Sequence, residues 1–312
     1  MISSSPIFQT PKQVSAVRKS RRRRLIIAFI ILLPALILAD MFWIEPALML
    51  TVTRYDISCP SLPENWAGRT IAFFSDAHLG ESYPPPRLQR IVSVLQHEQP
   101  DLILFGGDLI DSRTPETVDY DEAIISVLSQ MQAPLGQYAV AGNHDNRLRS
   151  EYERIDYLFT ESGFTLLNNE SVYLDGVWLG GLAESYFGAP DVDLAFSPDG
   201  LIHSQQTDSG GMTGLTRLLL MHQPDYAAGL PADSADLIFS GHSHNGQVTI
   251  FGRPILTVYE GADYPYGYYQ LSGNRQLIVS RGLGTVEIAA RFFAPPEIVI
   301  VTLQSAETTD VS

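Results

Sequence analysis

The sequence predicts an α/β protein, sheets with helices outside them, carried on an N-terminal transmembrane anchor. Three observations lead there. From Thr70, short apolar runs alternate with amphipathic stretches of helical spacing. After Ser162 nearly every apolar run has the length of a strand. Residues 25–44 form an apolar segment behind a block of arginines. With 45% hydrophobic and 18% charged residues in 312, the chain can pack a core and does not read as disordered.

Residues 1–24 form a basic tail without acids, ending in Arg18, Lys19 and Arg21 through Arg24. The apolar run from Leu25 to Ala39 contains Pro34; Met41 to Ile44 extend it past Asp40 to the ~20 residues a bilayer span needs. A buried core helix is not normally introduced by four arginines, and no A-x-A-like cleavage site stands near Ala39. The segment therefore reads as a single-pass signal anchor. Its arginines stay in the cytoplasm and the body lies outside. Should the run lie flat in the interface, the body sits on the cytoplasmic face instead. Residues 45–69 read as a linker and lead-in, 70–304 as the folded domain, and 305–312 as a polar tail.

Within the domain, Ile71–Ser75, Asp101–Gly106 and Gln137–Ala141 are expected as buried strands, separated by helices over Arg87–Gln99 and Asp121–Met131. A third helix is expected over Glu151–Ser162. Strands follow at Phe164–Leu167, Ser171–Asp175, Val177–Leu182, Arg217–Met221, Leu237–Ser240, Gln247–Phe251, Gln276–Ser280 and Ile298–Leu303, with an exposed polar loop over Ser197–Gly214. Such βαβ units followed by strands imply sheets covered by helices.

Charge and composition narrow the chemistry. Seven of the 20 Lys+Arg lie at or before Arg24, so from Leu25 onward the balance is 13 − 35 = −22. A body this acidic disfavours a nucleic-acid polymer as partner. Lysine is absent after Lys19, which removes P-loop, Schiff-base and Ser–Lys chemistry from the body. Cys59 is the only cysteine, so no intrachain disulfide, CxxC pair or Cys-rich zinc site exists.

Five separated motifs carry the reactive side chains: Asp76-Ala77-His78, Gly107-Asp108-Leu109-Ile110-Asp111, Gly142-Asn143-His144-Asp145, His222, and Gly241-His242-Ser243-His244. Each follows a predicted strand, and the carboxyl ends of strands are where α/β sheets bind ligands. Carboxylate, imidazole and amide form a mixed N/O donor set suited to Mn, Fe or Zn. The set is large enough for two ions sharing one carboxylate, an arrangement built for in-line displacement at phosphorus. A lone histidine at a strand end is usually structural; five such motifs together are not.

The series D-x-H, G-D-x-x-D, G-N-H-D, H, G-H-x-H resembles the calcineurin-like metallophosphoesterase superfamily over about Thr70 to Leu303. Ile44-Glu45-Pro46, Thr53-Arg54-Tyr55, Ser280-Arg281-Gly282-Leu283-Gly284, Arg291-Phe292 and Pro295-Pro296-Glu297 are similar to a membrane-anchored bacterial branch. That branch includes phosphodiesterases and enzymes resembling UDP-2,3-diacylglucosamine pyrophosphohydrolases of lipid A synthesis. The resemblance implies a four-layer αββα sandwich. It implies a first ion on Asp76, His78 and His244, a second on Asn143, His222 and His242, and Asp108 bridging both. It makes His144 the proton donor to the leaving oxygen, oriented by Asp111. Asn245 departs from the branch, which more often has Gly there.

Chemistry supports these roles independently. Water held between two cations has its pKa lowered towards neutrality, giving hydroxide as the nucleophile. Asn143 can ligate through its carbonyl while its amide donates to phosphate. Histidine, the residue type at 144, has the one common side-chain pKa near neutral pH, which suits proton donation. Asp111 could instead cap a turn, and Asp145 reads as structural, holding its loop. Arg281 could fork a phosphate or close a salt bridge, with equal weight. Tyr259, Tyr264, Tyr266, Tyr268 and Tyr269 could line a groove or pack a loop. His97 and His203 read as surface residues. The expected activity is hydrolysis of a phosphodiester or pyrophosphate in a small or lipid-linked substrate. A phosphomonoesterase and a silent metal-binding module at the membrane remain as alternatives.

Overall fold

A computed structural model describes the backbone of residues 11–202 and 215–305, and side chains from residue 21 onward. Most of the polar loop 197–214, His203, and all but the first residue of the 305–312 tail lie outside the described residues.

Helix α1 runs over Pro11–Ala39, straight through Pro34, and is followed by a π-helical turn Asp40–Ile44 and a short helix α2, Glu45–Leu48. The apolar helical stretch Arg21–Leu48 is 28 residues long, about 42 Å at 1.5 Å per residue, and its apolar core is unburied. It is the one candidate membrane span among the described residues.

Among the described residues, fourteen strands follow. In the first half they are β1 (Thr51–Cys59), β2 (Thr70–Phe74), β3 (Leu102–Phe105), β4 (Gln137–Ala139), β5 (Thr165–Leu166), β6 (Glu170–Leu174) and β7 (Val177–Gly181). In the second half they are β8 (Thr216–Leu220), β9 (Leu237–Ser240), β10 (Thr249–Ile250), β11 (Arg253–Pro254), β12 (Gly267–Gln270), β13 (Gln276–Val279) and β14 (Glu297–Ser305). Helices α3 (Gln89–Glu98), α4 (Val118–Leu128) and α5 (Arg149–Glu161) connect the early strands.

Two six-stranded sheets form, ordered β1-β14-β2-β3-β4-β5 and β12-β13-β9-β8-β7-β6. Strands β2, β3 and β4 are parallel, as are β7, β8, β9 and β13. Alternation along each strand divides the core. From β2, Ile71 and Phe73 face the second sheet with Leu104, Leu218 and Phe239, whereas Ala72 and Phe74 face α3–α5 with Leu95, Ile124 and Phe159. Burial on both faces explains why these strands read as unbroken apolar runs. The outer face of the second sheet, with Leu219, Ile238 and Leu277, is covered by a 3₁₀ turn at Pro224–Gly229 and a one-turn helix, Val192–Ala195. The four layers are present, and the second helical layer is thin.

Several segments differ from expectation, among them β11 and β12, where no strand was expected. The stretch 45–69, expected as a linker and lead-in, contains β1, an edge strand paired in parallel with β14 from Thr51↔Glu297 to Cys59↔Ser305. The strand expected over Gln247–Phe251 shrinks to Thr249–Ile250 in a hairpin. Asn245, Gly246 and Gln247 all have positive φ, a turn that cannot lie in a ladder.

Candidate metal centre

Five parallel strand ends open on one rim. There β2 delivers Asp76 and His78, β3 delivers Asp108 and Asp111, β4 delivers Asn143 and His144, β8 delivers His222, and β9 delivers His242 and His244. Asp76, His78, Asp108, His242 and His244 have φ of 55°, 44°, 57°, 68° and 50°. Left-handed backbone at non-glycine residues costs about 1–3 kcal/mol each and persists only where neighbours enforce it.

Those neighbours are the site's own carboxylates. Asp145 accepts from the backbone N–H of Leu109 (3.2 Å), Ile110 (3.0 Å) and Gly142 (2.9 Å), tying two loops together as a structural residue. Asp76 accepts from His242 N at 3.0 Å, and Asp108 Oδ1 from His144 N at 2.8 Å. The approach is so close that a Cβ on Gly142 would overlap the Asp108 carboxylate, and one on Gly107 (φ 93°) would lie 2.7 Å from His222 Nδ1.

Potential ligand atoms of Asp76, His78 and His244 lie within 4.8 Å of one another, and so do those of Asp108, His222 and His242. His78 Nε2 is 3.1 Å from His244 Nε2, and His244 Nε2 is 3.4 Å from Asp76 Oδ1. Asp108 Oδ2 stands between the clusters, 3.5 Å from His78 Nε2 and 3.2 Å from His222 Nε2. Asn143 is buried beside them, and its Oδ1 has no hydrogen-bond partner. An orphaned buried acceptor among carboxylates and imidazoles fits a cation, and the N/O donors without sulfur fit a borderline divalent one.

Outer contacts aim the rings. His222 Nδ1 donates to Gly106 O at 2.7 Å, so Nε2 is the nitrogen that faces Asp108. His242 Nε2 donates to Tyr259 O at 2.8 Å, leaving Nδ1 free, and the Tyr186 hydroxyl sits 3.1 Å from the same Nε2. A carbonyl can only accept, so each bond fixes the tautomer. The fully buried Arg291 lies 3.3 Å from His244 Nδ1 through Nη2.

Burial lowers the pKa of His222, but the charge of Asp108, its contact with the ring and the charge of Asp76 outweigh it and push the ring up to about 10. His78 is also raised, against its burial, by Asp111, Asp108 and Asp76. Burial raises Asp108 too, yet His222 and His78 hold it well below the usual carboxylate range; in Asp76 burial wins and the pKa rises. Burial together with the His222 charge lowers His242 to about 3, and burial lowers His144. At neutral pH His222 thus carries a proton that a cation at Nε2 must displace. Metal uptake at pH 7 is expected to release about one proton or more per chain, and affinity is expected to fall as pH drops. Calorimetry in buffers of different ionisation enthalpy reads this number, and no proton release would remove His222 Nε2 from the ligand set.

Asp111, expected to orient His144, is bound by Arg113 and faces His78 Nδ1 at 3.5 Å, while His144 Nδ1 is buried without a partner. Arg281, read with equal weight as a phosphate contact or a salt-bridge partner, pairs with Glu297 at 2.9 Å and lies over the Tyr266 ring. Of the tyrosines, Tyr264 and Tyr269 pack on the second sheet and Tyr268 packs near Tyr55, whereas Tyr259 is exposed beside His242. His97 is on the surface.

Two further carboxylates at the site were given no role from the sequence. The buried Glu184 accepts from Tyr186 N (2.8 Å), Phe187 N and Gly188 N (both 2.7 Å), holding the loop that brings Tyr186 to His242. The buried Glu45 accepts from Phe293 N and Ala294 N, close to Arg291 in sequence.

Two sheets with clustered N/O ligands at their shared rim define a metallohydrolase. A model of calcineurin-like phosphoesterases matches residues 69–246, and the chain belongs to that family. An uncharacterized metallophosphoesterase of Bacillus subtilis, YkuE, is 34% identical over 271 residues, covering 84% of this chain and 88% of its own. The UDP-2,3-diacylglucosamine pyrophosphatase LpxG of Chlamydia muridarum is 28% identical over 313 residues, covering 83% and 90%. A Danio rerio transmembrane protein with a metallophosphoesterase domain is 28% identical over 264 residues; the match spans 82% of this chain and 57% of that one. The protein is a metal-dependent phosphoester hydrolase with an N-terminal candidate anchor helix.

Proposed function

We propose that this chain is a single-pass membrane hydrolase that cleaves a phosphodiester or pyrophosphate bond in a small or lipid-linked substrate outside the cytoplasm. The observation that carries the reading is Asp108 between two ligand clusters. In it, Asp76, His78 and His244 hold one divalent ion (Mn, Fe or Zn), and Asn143, His222 and His242 hold the other, with Asp108 shared. Bound there, the ions supply a nucleophile at neutral pH and offset charge growing on the phosphoryl oxygens. Asn143 donates its amide to phosphate. His144, oriented by the backbone bond from its own N–H to Asp108, gives a proton to the leaving oxygen. Asp111 positions His78, and Arg281 positions the strand end through Glu297. The LpxG likeness supports a diacylated nucleotide-sugar pyrophosphate as one substrate class, and the arginine block supports the external placement.

The proton-donor role has a specific test. His144→Ala is expected to slow hydrolysis of an alkyl phosphodiester about 10²-fold, because an alkoxide must be protonated as it leaves. A bis-p-nitrophenyl ester needs no such proton and is expected to lose much less. Since burial depresses the His144 pKa, its protonated form is lost as pH rises through that lowered value. The alkyl-ester rate therefore falls with rising pH in the parent and not in the variant, at unchanged metal content. Equal losses on both esters would assign the proton elsewhere. Metal-loaded protein that turns over neither ester would favour a silent binding module.

A further inference from the structure

A groove of about 550 Å³ opens beside the candidate ligand His244. Its lining is mostly apolar, with Leu256, Val258, Val286 and Ile288 from two loops and Met41 and Phe42 from the end of the candidate anchor, while Gln247, Thr257 and Glu287 are its polar members beyond the metal site. Of the lining residues, Leu256 is 76% exposed and Ile288 62%. Exposed apolar residues are ordinary when scattered, but several lining one groove mark a binding surface.

Continuity with the anchor identifies its occupant. Arg291 N donates to Met41 O at 2.9 Å, and Glu45 accepts from Phe293 N at 2.7 Å, so the 286–293 loop is fastened to the point where the apolar helix ends. The groove therefore begins next to the helix that would leave the bilayer there and runs from that helix to His244. We propose that the groove takes one acyl chain of a bilayer amphiphile whose phosphate lies at the metal cluster. This rests on the hydrolase reading above and specifies its substrate as a membrane lipid that enters sideways from the bilayer.

The test uses the full chain, loaded with Mn, on p-nitrophenyl alkyl phosphodiesters from methyl to octyl below their micelle concentrations. KM is expected to fall at least about tenfold along the series, since each buried methylene adds affinity, with kcat little changed. The double variant Leu256→Ser/Ile288→Ser, altered only at exposed positions, is expected to flatten that dependence while hydrolysing the methyl ester like the parent. Dansyl-undecanoate fluorescence gives a readout free of turnover: enhancement with the parent and loss of it in the variant support the groove. Methyl and octyl esters hydrolysed with equal KM would overturn the acyl-chain assignment and leave the hydrolase reading standing. Hydrolysis of neither ester overturns both. A dimer in detergent that buries Leu256 and excludes the dansyl probe would give the groove to a second copy and overturn the assignment.

Discussion

Asp108→Asn is expected to cut phosphodiester hydrolysis at least about 10³-fold, roughly 4 kcal/mol of lost transition-state stabilisation. The side chain keeps its size and can still accept from His144 N, so the loop bearing His144 stays in place. What changes is the charge between the clusters. The amide has no net charge to share with two cations, and one rotamer turns N–H groups towards them. His222, which Asp108 holds protonated, also loses its chief partner. Elemental analysis is expected to show about one ion per chain or fewer where the parent holds about two. A variant with parental rate and metal content would exclude Asp108 as a bridge.

Arg291→Met is expected to destabilise the fold by about 3 kcal/mol or more, read as a fall of roughly 6–12 °C in Tm for a domain of this size. The guanidinium is fully buried and donates to Arg281 O (2.9 Å), Gly284 O (2.9 Å) and Ala294 O (2.7 Å). Methionine fills a similar volume and leaves those carbonyls unpaired. Burial lowers the Arg291 pKa to about 10, opposed by the charges of Asp76 and Glu45, so the group stays charged at neutral pH. Lysine keeps the charge but presents it as a point and cannot serve carbonyls in several directions, so Arg291→Lys is expected to fall between the two. A shift in Tm below about 2 °C for Arg291→Met would show that the carbonyls find other donors.

Much of the rim was legible because burial on both faces forces β2, β3, β8 and β9 into unbroken apolar runs. A reactive residue directly after such a run must emerge at a strand end. Edge strands lack that signature. In β1 only Ile57 and Cys59 are buried, and its partner β14 lies more than two hundred residues away, so a polar stretch reads as a linker. The partner of Asp111 is hidden from the sequence for a related reason. Spacing places Asp111 in the right loop but does not say which imidazole its carboxylate faces, and here that is His78. Glu45 acts through backbone amides almost 250 residues away, which no local pattern announces, whereas Glu184 and Arg291 fold nearby loops around themselves, which spacing alone does not mark.

The bonds from Glu45 to residues 293 and 294, and from residue 291 to Met41, bear on how a soluble form should be cut. Truncating at Thr51, where the first ladder begins, would strip the two backbone amides of their acceptor and loosen the loop that carries Arg291. A fragment that keeps Asp40 to Leu50 while discarding the lipophilic helix before it preserves that clasp. The last turns of the span belong to the catalytic half of the molecule.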